Sequence, residues 1–208
     1  MIVIGAKGFA KEVLEILHQL NQTENLVFFD NVSNDLPELL FNRFPIIRTE
    51  KQVKEHFKKY GNSFILGLGN PKFRKMLCEQ FEQLGGQVKT IVSPTAQIGN
   101  YDVTIGEGTV ILPNAIVANS NQIGKGCILY YNTMITHDCQ LGNFVELSPG
   151  ATLLGGTFIG DLCHIGANAT VLPKVKLGSN ITVGAGAVVT KSFMTNCVLV
   201  GVPAREKS

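Results

Sequence analysis

Residues 103–192 read VTIGEG TVILPN AIVANS NQIGKG CILYYN TMITHD CQLGNF VELSPG ATLLGG TFIGDL CHIGAN ATVLPK VKLGSN ITVGAG AVVTKS, fifteen blocks of six with no insertion. The third residue of every block is aliphatic, from Ile105, Ile111 and Val117 through to Leu177, Val183 and Val189. First positions are small or modest in size (Val103, Thr109, Ala115, Cys127, Ala151, Ala187), and Gly, Asn or Pro gather at positions four to six. A helix would space its apolar residues three to four apart, and a half-buried strand would alternate without turning. A period of six that points in, points out and then bends describes one flat side of a triangular β-prism, in which three blocks close a coil of about 18 residues. Fifteen blocks therefore predict five coils, roughly 24 Å tall at about 4.8 Å per coil. One coil alone leaves its apolar layer uncovered, so only the stack has a core.

Working outward, the whole chain has 208 residues, 45% of them hydrophobic, enough for one large or two small domains. The net charge of +2 comes without a basic run or aromatic-basic interleaving, which argues against nucleic acid as a partner. Five cysteines (Cys78, Cys127, Cys139, Cys163, Cys197) make no CxxC or Cys/His cluster, so the pattern predicts a reducing compartment and neither a disulfide framework nor a metal site. The start Met1-Ile2-Val3-Ile4-Gly5 is too short for a signal-peptide core, and no stretch approaches 18 apolar residues. The expectation is a soluble cytoplasmic protein without membrane insertion.

Before residue 92 the hexad is absent and strand signals alternate with helix signals. Strands are predicted at 1–5, 26–29, 63–68 and 87–92, with helices at 9–20, 50–60 and 71–84. That alternation implies a small Rossmann-like parallel sheet, giving an α/β domain over residues 1–92 and an all-β prism with a tail over 93–208. In such sheets ligands sit beyond the carboxyl ends of the strands. Three segments fall there: Gly5-Ala6-Lys7-Gly8-Phe9, Asp30-Asn31, and Gly67-Leu68-Gly69-Asn70 with Arg74 one turn into the next helix. A glycine-lined helix start suits a phosphate, and Asp30 could accept from a ribose or base. The glycines do not complete GxGxxG, which weakens a nicotinamide reading; a tight turn, a helix cap at Asn70 and a solvated Arg74 are the plain structural alternatives.

Of four histidines, His18 and His56 fall on predicted surface faces of helices, and His137 and His164 lie in the prism. His137 is the fifth residue of its block, at an outward corner, and Asp138 follows it. Histidine suits the part of a general base, and a neighbouring carboxylate can orient its ring. One coil above His137 stands Gly155, a side-chain-free amide within reach of a developing oxyanion. Glu146 and His164 are also 18 apart, both outward, and should stack as a pair with a structural or secondary-site role. Cys127, Cys139 and Cys163 occupy inward first positions and read as small hydrophobes, which sets them aside as nucleophiles.

The aliphatic-Gly steps at Ile123-Gly124, Leu141-Gly142, Ile159-Gly160, Ile165-Gly166, Leu177-Gly178 and Val183-Gly184 resemble the hexapeptide-repeat acyltransferases, which implies a left-handed β-helix. Gly5-Ala6-x-Gly8-x-Ala10-Lys11-Glu12-Val13, Phe29-Asp30-Asn31, Gly67-x-Gly69-Asn70 with Arg74-Lys75, His137-Asp138-Cys139 and Gly201-Val202-Pro203-Ala204-Arg205 narrow this. Together they are similar to the sialic-acid O-acetyltransferase and bacillosamine-type sugar-nucleotide N-acetyltransferase group. The resemblance implies a nucleotide-linked amino sugar held by Gly8, Asp30, Asn31, Gly69, Asn70 and Arg74. It implies acetyl-CoA as co-substrate at Gly155, Ala167 and Ala185, with Lys174, Lys191 and Arg205 as phosphate contacts and His137 and Asp138 as the catalytic pair. It also implies homotrimers that bind acetyl-CoA between prisms, and two of the three outward columns, through Ile128 and through Met134, are stickier than the column through Gln122 and Gln140. The chain departs from the group at Phe9, where His is usual, at Asp138, where Glu is usual, and at Glu146, where a second His is common. N-acetylation of a nucleotide-linked amino-deoxy sugar for surface-glycan synthesis is the expectation; O-acetylation of a sialic acid or another sugar hydroxyl, and a non-catalytic sugar-nucleotide-binding scaffold, stay open.

Overall fold

A computed structural model describes residues 1–207, which divide into two compact units, Met1–Ile91 and Val92 onward. In the first unit β1 (Ile2–Ile4), β2 (Val27–Phe29), β3 (Leu39–Leu40), β4 (Phe44–Ile47), β5 (Ser63–Leu66) and β6 (Gln87–Val88) form one sheet in the order β3-β4-β2-β1-β5-β6. All neighbours are parallel except the β3–β4 hairpin. Helices α1 (Gly8–Gln19), α2 (Glu50–Tyr60) and α3 (Pro71–Gln83) complete it. The central strands are buried along their whole length at Ile2, Val3, Ile4, Phe28 and Ile65, as a strand covered on both faces must be. A capping box between Thr49 and Gln52 starts α2, and the Asn70 side chain caps α3 ahead of Pro71.

The sequence reading leaves 30–49 without structure, whereas β3 and β4 occupy part of it. Pro45 within Phe44–Ile47 hides the strand, because proline is tolerated only at a sheet's margin, and β4 pairs there with the two-residue β3. The strand expected over 87–92 is two strands: β6 stays with the α/β sheet, and Ile91–Val92 is the first strand of a prism sheet.

The second unit is a parallel β-helix with three sheets. One, here the Glu146 face, runs through Val110–Ile111, Ile128–Leu129, Glu146–Leu147, His164–Ile165 and Thr182–Val183. The Met134 face runs from Gln97–Ile98 through Met134–Ile135 to Val188–Val189, and the Gln140 face from Thr104–Ile105 to Lys176–Leu177. Partners are 18 residues apart, as in Ile128 with Glu146, Met134 with Thr152 and Gln140 with Phe158. Third-position residues from Ile111 to Val189 are buried and form one continuous core. Every sixth residue from Asp102 to Gly186 has positive φ, including Asn114, Asn132, Asp138, Gly150, Gly156 and Asn168. That left-handed residue is the bend that ends each block, and it is why Gly, Asn and Asp recur there.

The stack outruns the blocks at both ends. Gln97 pairs with Ile116 at a spacing of 19, and Thr182 pairs with Val198 at a spacing of 16. A one-residue insertion and a two-residue deletion thus conceal these coils from a strict count of six. The tail folds back as Arg205–Glu206 against Val198–Val200, with Ala204 buried in the prism core.

Candidate active site

His137 lies on the prism edge between the Met134 and Gln140 faces, between Met134–Ile135 and Gln140–Leu141. Asp138 takes the left-handed bend (φ 60°), which turns its carboxylate back toward the preceding ring. Its Oδ2 lies 2.6 Å from His137 Nδ1, so a ring with hydrogen on Nδ1 donates there and presents Nε2 as a base. Both side chains are open to solvent, 70% and 65% exposed. Among the described residues, Nε2 has no protein partner.

Gly155 stands directly over that ring. A Cβ built on it would lie 2.6 Å from His137 Cε1 and 2.8 Å from Nε2, so only glycine fits without moving the base. Gly155 O accepts from Lys174 N, and Gly156 N donates to His137 O, which fixes the corner's height over the ring. The Gly155 N–H itself bonds no protein group among the described residues. The contrast lies on the edge between the Gln140 and Glu146 faces, where corner amides are satisfied from one coil up. There Lys125 N donates to Asn143 Oδ1, Asn143 N to Asp161 Oδ1 and Asp161 N to Ser179 Oγ. Above Gly155 the equivalent position is Pro173, which has no such acceptor. A free donor beside a free base, with space where a side chain would be, fits a thioester carbonyl.

Glu146 and His164 are register partners as expected, with Oε1 3.7 Å from Nε2. The nearer contact of Nε2 is the Ser148 hydroxyl at 2.8 Å, a residue the sequence reading passed over. Outward side chains two apart on one strand share a face, and that alternation is the signal that could have found it. Both partners sit at the same ring nitrogen, so this is not a relay of the Ser-His-acid kind.

Ala167 and Ala185 are also one above the other, on the edge between the Glu146 and Met134 faces, a different edge from that of His137 and Gly155. Lys174, Lys191 and Arg205 are exposed; Lys191 Nζ lies 5.4 Å from the Phe193 ring centre, and Arg205 Nη1 donates to Ala204 O. All five cysteines are buried and unbridged. Burial pushes the Cys163 thiol up to about 11 and also raises Cys139, so neither is a thiolate nucleophile near neutral pH.

In the first unit the turns after β1, β2 and β5 converge on a cavity of about 270 Å³ lined by Gly5 to Phe9, Asp30 to Val32, Gly67, Leu68 and Gly69. The chain turns tightly there because Gly5 (φ 101°) and Gly67 nest: a Cβ on Gly5 would lie 2.6 Å from Gly67 O, and one on Gly67 2.6 Å from Val3 Cγ1. Gly8, Asp30, Asn31 and Gly69 are brought together as expected, with Phe9 as an apolar wall. Asn70 and Arg74 are not among the lining residues. Asn70 Oδ1 accepts from Lys72 N and Phe73 N as the cap of α3. Arg74 is fully buried (0% exposed) and donates to Gly69 O, so it braces the loop instead of reaching into the cavity. The carboxylate of Asp30 accepts from Val32 N, Ser33 N and Ser33 Oγ, organising its own loop. His56, expected at the surface, is buried with Nε2 3.2 Å from the Met1 amine.

A prism of hexads with a base and a free amide on one edge, following an α/β unit with a cavity at its strand ends, defines an acyltransferase of the β-helix class. Residues 1–81 match the family "PglD N-terminal domain", and residues 156–191 match "Bacterial transferase hexapeptide (six repeats)". The acetyltransferase domain of PglB from Neisseria gonorrhoeae is 30% identical, with 99% of this chain and 98% of that one covered and a TM-score of 0.90. Perosamine N-acetyltransferase from Caulobacter crescentus, solved with CoA and GDP-perosamine, is 25% identical over 100% of this chain and 96% of that one, with a TM-score of 0.91. WeeI from Acinetobacter baumannii is 28% identical over 99% and 98%, with a TM-score of 0.88. The chain belongs to the hexapeptide-repeat sugar acetyltransferases with a PglD-type N-terminal domain. No curated protein sequence matches it. Among the described residues, no helix is long and apolar enough to cross a membrane.

Proposed function

We propose that the chain transfers an acetyl group from acetyl-CoA to the amine of a nucleotide-linked amino sugar, with His137 as base. The observation that carries this is the vertical pair on one prism edge: an imidazole oriented by Asp138 at 2.6 Å, beneath a Gly155 amide that has no protein partner among the described residues. Acetyl-CoA supplies the activated acyl group. His137 Nε2 takes the acceptor's proton as the new N–C bond forms and returns it to the departing CoA sulfur. Asp138 holds the ring's tautomer and stabilises the imidazolium between those steps. Gly155 N–H donates to the carbonyl oxygen as it becomes an oxyanion. The strand-end cavity of the first unit, with its glycine turn, takes the nucleotide. The N-acetyltransferase from Caulobacter crescentus, which binds CoA and GDP-perosamine, supports the amine as acceptor.

The working form is a homotrimer. Gly155 and the Ala167–Ala185 column lie on different edges of the prism, so an acetyl-CoA lying against both needs the edges of two copies. Lys174, Lys191 and Arg205 remain its phosphate contacts. CoA release measured across UDP-, dTDP- and GDP-linked amino sugars, and across sialic acids and hydroxyl-bearing analogues, tests the assignment. Turnover with an amino-sugar nucleotide alone is expected; turnover with the hydroxyl acceptors alone would make the chain an O-acetyltransferase.

A further inference from the structure

Lys7 sits in the turn between β1 and α1 and is the one lysine or arginine among the residues lining the strand-end cavity. Its ammonium is paired with Asp35, at 3.0 Å from Oδ1 and 3.3 Å from Oδ2. Both side chains are more than half exposed (56% and 73%), so the pair reaches across open solvent from the glycine turn to the segment after β2. That segment is fixed. Arg48 donates to the carbonyls of Asp30, Ser33 and Leu36, and the Asp30 carboxylate binds the amides of Val32 and Ser33. Asp35 therefore lies between two anchored residues and is presented to Lys7 by the loop. The hydrogen bond from Lys7 first, then a hydrogen bond from the backbone of Asp35 itself and the Lys7 charge, hold the Asp35 carboxyl below its ordinary range.

An exposed lysine–carboxylate pair is a weak contact. A diphosphate brings more negative charge and more acceptor oxygens to the same ammonium, and charge-assisted bonds to phosphate are stronger. Since Arg74 is buried and bonded to Gly69, Lys7 is the cation in place to meet a diphosphate in this cavity. Resting on the reading of that cavity as the nucleotide-sugar site, we propose that Lys7 binds the diphosphate and that Asp35 occupies the ammonium until the ligand displaces it. Asp35 is thus an internal competitor, which tunes affinity for the nucleotide without touching it.

Calorimetry of the full chain with UDP, dTDP and GDP tests this, using Lys7→Met, Lys7→Arg, Asp35→Asn and the Lys7→Met/Asp35→Asn pair. Lys7→Met should weaken the preferred diphosphate about tenfold, Lys7→Arg should largely restore it, and Asp35→Asn should tighten it about threefold. The Asp35→Asn gain should vanish in the Lys7→Met background, and all differences should shrink at about 0.5 M salt. If both single variants weaken binding equally, the pair is a brace and the exchange is wrong; if Lys7→Met binds like wild type, Lys7 is not the phosphate ligand. A wild-type chain that binds none of the three diphosphates would remove the nucleotide reading of the cavity, and the exchange with it.

Discussion

Asp138 combines two demands, a left-handed backbone (φ 60°) and a carboxylate aimed at His137. Asn meets the first but not the second, since asparagine tolerates that conformation and carries no charge. Asp138→Asn should therefore fold normally, with an unchanged melting temperature, while kcat drops about 10²-fold or more because the imidazolium is no longer stabilised. Gly155→Ala is the complementary change. Its Cβ would meet His137 Cε1 at 2.6 Å and push the ring from its place. A displacement of about 1 Å can cost about 10²-fold in kcat, and steady-state kinetics should show that loss. Beside them, Thr136 Oγ1 is buried with no hydrogen-bond partner among the described residues. Thr136→Val should be neutral or stabilising by up to about 1 kcal/mol in denaturant unfolding, as it removes an unsatisfied hydroxyl at constant shape. The pairing of His137 with Gly155 was legible in the sequence because a coil of 18 converts spacing into height. The bracing role of Arg74 was not, because arginine is seldom fully buried and nothing in its neighbours in sequence marks the Gly69 carbonyl it serves.

At the scale of elements, the left-handed sixth position governs the prism. Lys174 adopts φ 62° there while exposed, a conformation that costs a side chain with a Cβ about 1 kcal/mol. Lys174→Asn should raise the melting temperature, and a simultaneous rise in the KM for acetyl-CoA would separate the proposed phosphate contact of the lysine from its strain. Third-position aliphatics reveal the register because one buried column must repeat with the coil. The terminal coils escaped because spacings of 19 and 16 break the count while the hydrogen bonding continues. Helix α2 shows the opposite limit: its charged neighbours mask a buried stripe of Val53 and His56. Burial first, and the Met1 amine second, lower the His56 value from 6.5 to about 4. The unfolded chain then binds more protons between those values, so stability is full above pH 6.5 and falls as the pH drops toward 4. Thermal unfolding across that window should show the decline, and a variant such as His56→Gln should flatten it.

At the scale of the molecule, the chain has two compact units, one with a cavity at its strand ends, and the proposed function assigns the nucleotide to that cavity and the acyl group to an edge of the prism. Fold class followed from the period of six and from alternating strands and helices, whereas the acceptor class came from likeness to whole relatives, since no single residue of the first unit names a sugar. Light scattering should give a mass three times the 22.5 kDa chain if one prism's His137 edge meets a neighbour's Ala167 edge. The most direct test is the rate of CoA release from acetyl-CoA with a nucleotide-linked amino sugar, compared between the wild-type chain and His137→Asn. With His137 as base, the variant should still bind acetyl-CoA but release CoA about 10²- to 10⁴-fold more slowly; near-normal release by His137→Asn would contradict it.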